Sequence, residues 1–187
     1  MSGLPICGYD QDLWEWDHTL WQLVQQCAIR SSEEIIQSFG IERGFAQVVA
    51  GLSPVQVERL SSGVMASFLP IFDEQTFFEL LAEPYDPLIP LTQDTRSQFE
   101  AHFWLLVGIG ARTNLDTATL RYGVSHRVSK AAGTASINQL TQVGSKLGTS
   151  FRLRFASSII EEVANASPRL ALTKRMAYAM TRSTARP

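Results

Sequence analysis

Leu13, Trp16, Leu20, Leu23 and Cys27 follow one another at alternating intervals of three and four residues. That spacing places them on one stripe of an amphipathic helix and commits this part of the chain to a helical seam, which requires a partner surface. Trp14 and Trp21 lie close to the same stripe. The helix therefore carries more aromatic surface than a small domain easily hides, and an intersubunit interface and an ordinary core helix both satisfy the pattern.

Helical spacing continues along the chain. Glu33 to Phe39 reads as helix up to a turn at Gly40, and Phe45, Val48, Val49 and Leu52 repeat the pattern. Ser53-Pro54 is a cap followed by a first-turn proline, which predicts a helix to Ser62 with Val57 and Leu60 inward and a stop at Gly63. Val64 to Phe72, interrupted by Pro70, reads as an extended or edge segment. Asp73 caps a helix bearing Phe77, Phe78, Leu80 and Leu81, and the prolines at 84, 87 and 90 impose a stiff loop. Thr95 or Asp94 caps a long apolar helix to about Arg112. Further helices are expected from about Asp116 to Ala132, Ile137 to Lys146, Phe151 to Asn165 and Ser167 to Thr181. The segment Ser150-Phe151 to Pro168 loosely echoes Ser38-Phe39 to Pro54, with a two-residue gap. The expected fold class is all-α.

Charge is sorted along this chain. Residues 1–110 hold 15 acids and 4 bases, a net of −11, and residues 111–187 hold 3 acids and 12 bases, a net of +9. A basic segment of this kind is the usual footprint for phosphate or another polyanion. Mutual neutralisation of the two halves in a compact fold or dimer is the alternative. Spanning a bilayer takes about 18–20 apolar residues, and Phe103 to Ala111 supplies about half of that. Met1 to Asp17 has acids and tryptophans where a secretion signal carries a basic and then an apolar run, so a cytoplasmic protein without membrane association is expected. Cys7 and Cys27 lack metal-binding spacing, and Cys27 reads as a small buried apolar side chain.

At Phe39-Gly40-Ile41-Glu42, Ala46, Leu52-Ser53, Gln56, Leu60, Phe72-Asp73 and Leu91-Thr92-Gln93-Asp94-Thr95-Arg96 the chain resembles FlhD. FlhD is a subunit of the flagellar master activator FlhD–FlhC, with relatives on conjugative elements that switch on transfer genes. The first part of the match runs from Ile36 to Leu81 without a gap, and the whole covers roughly Leu13 to Arg112. The resemblance implies an elongated multi-helix region over 1–112 and a symmetric homodimer. It also implies assembly with an FlhC-like subunit that usually carries a zinc site and much of the DNA contact. The dimer-bridging cysteine of the family falls at Phe68, so a dimer here rests on packing, with Leu13, Trp14, Trp16, Leu20, Trp21, Leu23 and Phe68 as its candidate interface. The loop Glu83 to Pro90 looks like an insertion. FlhD ends soon after the helix matching Thr95 to Arg112, whereas this chain continues to residue 187, which tilts the resemblance toward conjugation.

The remaining residues, 113–187, read as a small, basic helical module. Leu120 to Lys130 resembles the Gly-Val-Ser turn of a helix-turn-helix, although its valine, Val128, comes one residue early. Under that reading Ser125, His126, Arg127 and Lys130 face the groove, with Arg121 a further candidate for DNA contact; otherwise they form a capped, solvated helix. Lys146, Arg152, Arg154, Lys174 and Arg175 are candidate phosphate contacts, which position a complex without reading bases. Asp94 with Glu100, Ser125 beside His126, and Gly144-Ser145-Lys146 lack triad order, phosphate-loop spacing and metal-ligand form. His18, His102 and His126 are far apart in sequence. Neither an enzyme nor a cofactor is expected. The expected function is a transcription activator subunit that dimerises, joins an FlhC-like partner and binds promoter DNA. The alternative is an assembly protein whose basic region meets a protein partner or RNA polymerase and touches no DNA.

Overall fold

The computed structural model describes residues 8–30, 37–89 and 93–167, with positions 170, 173, 174 and 177 beyond them. Helix starts follow local side-chain chemistry. Asp10 accepts from the Leu13 N–H at 3.2 Å and opens α1 (Gln11–Ile29). After a 3₁₀ turn at Arg43–Phe45 come α2 (Ala46–Ala50) and α3 (Pro54–Leu60). In α3 Ser53 and Gln56 form a reciprocal capping box with Pro54 in the first turn. Strand β1 (Phe68–Ile71) leads to α4 (Glu74–Ala82), capped by Asp73. The Thr76 hydroxyl and N–H both donate to that aspartate and hold its carboxyl below the usual range.

Asp94 opens α5 (Thr95–Thr113), and its carboxyl is likewise lowered by Ser97. Asn114 caps α6 (Leu115–Tyr122), Ser125 caps α7 (His126–Thr134), and a second capping box, Ser136 with Gln139, opens α8 (Ile137–Lys146). Strand β2 (Ser150–Leu153) and α9 (Ile159–Asn165) follow.

The fold is mostly helical with a small antiparallel sheet of β1 and β2, so the all-α expectation is corrected by two strands. The helix expected over Phe151–Asn165 begins instead as a strand, because Ser150 to Leu153 alternate exposed and buried with period two. The single helix expected over Asp116–Ala132 is broken at Gly123, whose backbone is left-handed at φ 68°. Most of the helix expected over Ser167–Thr181 lies outside the described residues, as does most of Glu33–Phe39. Among the described residues, no helix is long and apolar enough to cross a membrane.

Contacts divide the chain into two compact units, 70–150 and 8–69 with 151 onward, the first seven residues aside. Residues 112 and 113 both lie in the first unit, at the last turn of α5. In that unit α6, α7 and α8 pack on α5, and α4 packs on α8. Gly144 lets α8 approach α5 closely, since a Cβ there would lie 2.2 Å from the Ala101 Cα. The Glu100 carboxylate, buried on α5, accepts from Arg96 Nε and the Thr149 N–H, both at 2.7 Å, and the Thr149 hydroxyl accepts from Trp104 Nε1 at 3.0 Å. Arg112 donates to the carbonyls of Gly133 and Ala135, satisfying the C-terminal end of α7.

In the second unit α2 and α3 pack on α1, and α9 packs on α3. Asp17, fully buried on α1, accepts from the Ser62 N–H at 2.9 Å and from the Ser67 N–H and hydroxyl at 2.7 Å each. Arg154 joins it in the interior; burial lowers the guanidinium to about 10 against the pull of Asp17, so it stays charged at neutral pH. Removing one member of a buried charge pair leaves the other uncompensated, at a cost of about 3–5 kcal/mol. Asp17→Ala is expected to destabilise the protein on that scale, with Asp12→Ala as the exposed control, read by urea unfolding. Gly144→Ala is expected to cost about 1–3 kcal/mol by overpacking in the same assay, with Gly148→Asn near neutral.

Candidate nucleic-acid interface

Helices α6 and α7 are joined by Gly123-Val124-Ser125, the connectivity of a helix-turn-helix. The left-handed Gly123 closes α6, and the Ser125 hydroxyl accepts from the Val128 N–H at 3.2 Å to start α7. Ala118, Tyr122, Val124, Val128, Ser129 and Ala132 form the buried face of the pair. The early valine is accommodated because Val128 and Ser129 are both buried, and the Ser129 hydroxyl accepts from Thr119 at 3.1 Å. A buried hydroxyl with a partner is tolerated where an apolar side chain is the usual occupant.

The outer face of α7 presents Ser125, His126, Arg127 and Lys130, all exposed. The Arg127 guanidinium sits 4.4 Å above the Phe78 ring of α4, a cation–π contact that orients it. His126 Nε2 lies 3.9 Å from Asp116, with both side chains well exposed. Arg121 is half-buried. Span 70–150 carries 6 bases and 8 acids, a net of −2, so this surface is locally basic on a unit that is not.

The other candidate bases are placed differently. Lys146 pairs with Glu83 at 2.8 Å, and Lys174 pairs with Glu162. Arg152 is exposed, with its side chain against Gly40. Arg154 is 7% exposed, so it is withdrawn as a phosphate contact; a guanidinium neutralising Asp17 in the interior does not reach a backbone outside. Arg175 lies outside the described residues.

The expected aromatic interface is largely interior. Leu13, Trp16, Leu20, Trp21 and Phe68 are buried in their own unit, where Trp16 meets Phe151 at 5.1 Å and Trp21 meets Phe68 at 4.9 Å. Trp14 is half-buried and stacks on His18 at 4.8 Å, while Leu23 is 45% exposed. Cys27 is half-buried with a free thiol. The sequence reading missed Asp17 and Glu100 as interior anchors; the available signal is an acid set among the apolar stripe positions of a long helix. It also missed Phe78 as the platform for Arg127. Among the described residues, no group of three or more His, Cys, Asp or Glu gathers as a metal site.

No family model, curated protein or solved structure matches this chain. The geometry of the turn has its own test. Gly123→Ala places a Cβ in a left-handed residue and is expected to lower stability by about 1–2 kcal/mol, with Gly123→Asn costing less, by thermal unfolding.

Proposed function

We propose that this chain is a DNA-binding regulatory subunit that contacts promoter DNA through α7 and acts within a larger transcription activator. The observation that carries the reading is the α6–Gly123–α7 connection, which holds Ser125, His126, Arg127 and Lys130 together on one exposed face. Side chains at the start of the second helix of such a pair are the ones that enter the major groove. Few bases on this face make phosphate neutralisation modest, so affinity from this chain alone is weak and its salt slope shallow. The resemblance to FlhD adds the proposal of an FlhC-like partner that supplies further DNA contacts, with conjugative-transfer or flagellar genes as targets.

A specific observation favours a second reading, that of an assembly protein without DNA contact. Arg154 is buried against Asp17, while Arg112, Lys146 and Lys174 are bonded within the fold. Much of the basic segment therefore serves internal structure. Substitution separates the readings. Lys130→Ala with His126→Ala is expected to weaken duplex binding and to reduce the salt slope by about 1 for each lost phosphate contact, measured by fluorescence anisotropy across a salt series. Unchanged binding and slope in the double variant favours the assembly reading.

A further inference from the structure

We propose that this chain is a tandem duplication: residues 10–82 and 93–165 are two copies of one domain at a constant shift of 83 residues, and only the second copy keeps a DNA-contacting helix. The inference rests on the DNA reading above for the roles of the copies, but not for the duplication itself. One chain then carries the pair of domains that a homodimer of single-copy chains would assemble.

The shift needs no gap. Gly40 and Gly123 stand 83 residues apart, and both are left-handed, at φ 72° and φ 68°. Ser53 with Gln56 and Ser136 with Gln139 keep the same spacing, and both pairs form complete capping boxes. Trp21 and Trp104, then Phe68 and Phe151, are identical pairs, buried in both copies. The interior acids Asp17 and Glu100 correspond as well, each accepting a backbone N–H from the residues just before a strand. His18 bonds Ser61 at 3.1 Å across α1 and α3; the corresponding Ala101 and Gly144 bring α5 and α8 together.

One difference explains a departure from satisfied bonding. Trp104 Nε1 donates to Thr149, whereas the buried Trp21 Nε1 has no hydrogen-bond partner, because Ala66 stands where the second copy has Thr149.

Each copy also contributes its last helix, with the residues that lead into it, to the other copy's unit, 70–82 in one case and 151–165 in the other. Phe72 of the first copy packs on Trp104 at 4.9 Å, and its counterpart Phe155 packs on Trp21 at 6.4 Å. Helix α4 packs on α8, and its counterpart α9 packs on α3. Gln139 donates to the Leu81 carbonyl at the end of α4, and Gln56 donates to Asn165 at the end of α9. Reciprocal exchange of a terminal arm is the arrangement of an intertwined dimer, here closed within one polypeptide.

The copies have diverged in charge. Residues 10–82 hold 11 acids and 3 bases, while residues 93–165 hold 5 acids and 8 bases. Where the second copy exposes Ser125, His126, Arg127 and Lys130, the first exposes Glu42, Arg43, Gly44 and Gln47. At those places the first copy sets one acid, Glu42, against one base, Arg43, whereas the second carries Arg127 and Lys130 and no acid, so the first is the poorer phosphate surface.

Two measurements on the full chain test the inference. Sedimentation equilibrium across a wide concentration range is expected to give the 20.8 kDa mass of one chain; a two-chain particle overturns the closed pair. Duplex binding is expected to weaken about tenfold in Lys130→Glu and to change less than about twofold in the counterpart variant Gln47→Glu, a tenfold loss being about 1.4 kcal/mol. Equal losses in both variants, or none in either, overturn the assignment of DNA contact to the second copy. If the unaltered chain binds no duplex, the DNA reading and the roles of the copies fall together, while the pairing of the two copies within one chain stands or falls on the mass.

Discussion

A carboxylate buried on a long helix organises each unit of this protein. Asp17 on α1 gathers Ser62 and Ser67, and Glu100 on α5 gathers Arg96 and Thr149. In both cases the acid ties the central helix to backbone that leads directly into a strand. A charged group in the interior is tolerated only when its partners are all present, so these anchors make the path of the connecting loop strict. Apolar packing alone would hold the helices together without fixing where the loops run.

From those anchors the candidate interface follows. Fixing Glu100 and Thr149 sets α5, and α5 is the surface on which α6, α7 and α8 lie. Gly123 then turns the chain so that Val128, Ser129 and Ala132 face inward and His126, Arg127 and Lys130 face outward. The Phe78 ring beneath Arg127 comes from α4, which the proposed duplication makes the arm of the other copy. On that proposal the DNA-facing helix of one copy is steadied by the other, and the net charges of −8 over 10–82 and +3 over 93–165 record two copies that diverged in charge.

Much of the helical framework was legible in the sequence. Ser53, Asp73 and Asp94 name helix starts because capping is a local bond between a side chain and an N–H three residues on. Alternating three-and-four spacing identified α1 for a similarly local reason. The strands were harder, since β2 is four residues long and exists through pairing with β1, about eighty residues away. Arg154 was read as a surface base because its type is usually exposed, and nothing beside it in sequence announces Asp17.

The sequence by itself determined that this chain is built of capped helices and that its charges are sorted along its length, and it left Gly123-Val124-Ser125 open between one continuous helix and a turn. Tertiary structure alone decided which of the tryptophans are core, which bases are consumed by internal pairing, and which segment completes which unit. The physical reason is range. Caps, turns and amphipathic periods are fixed within a few residues, whereas burial and ion pairing depend on partners that only the folded chain brings together.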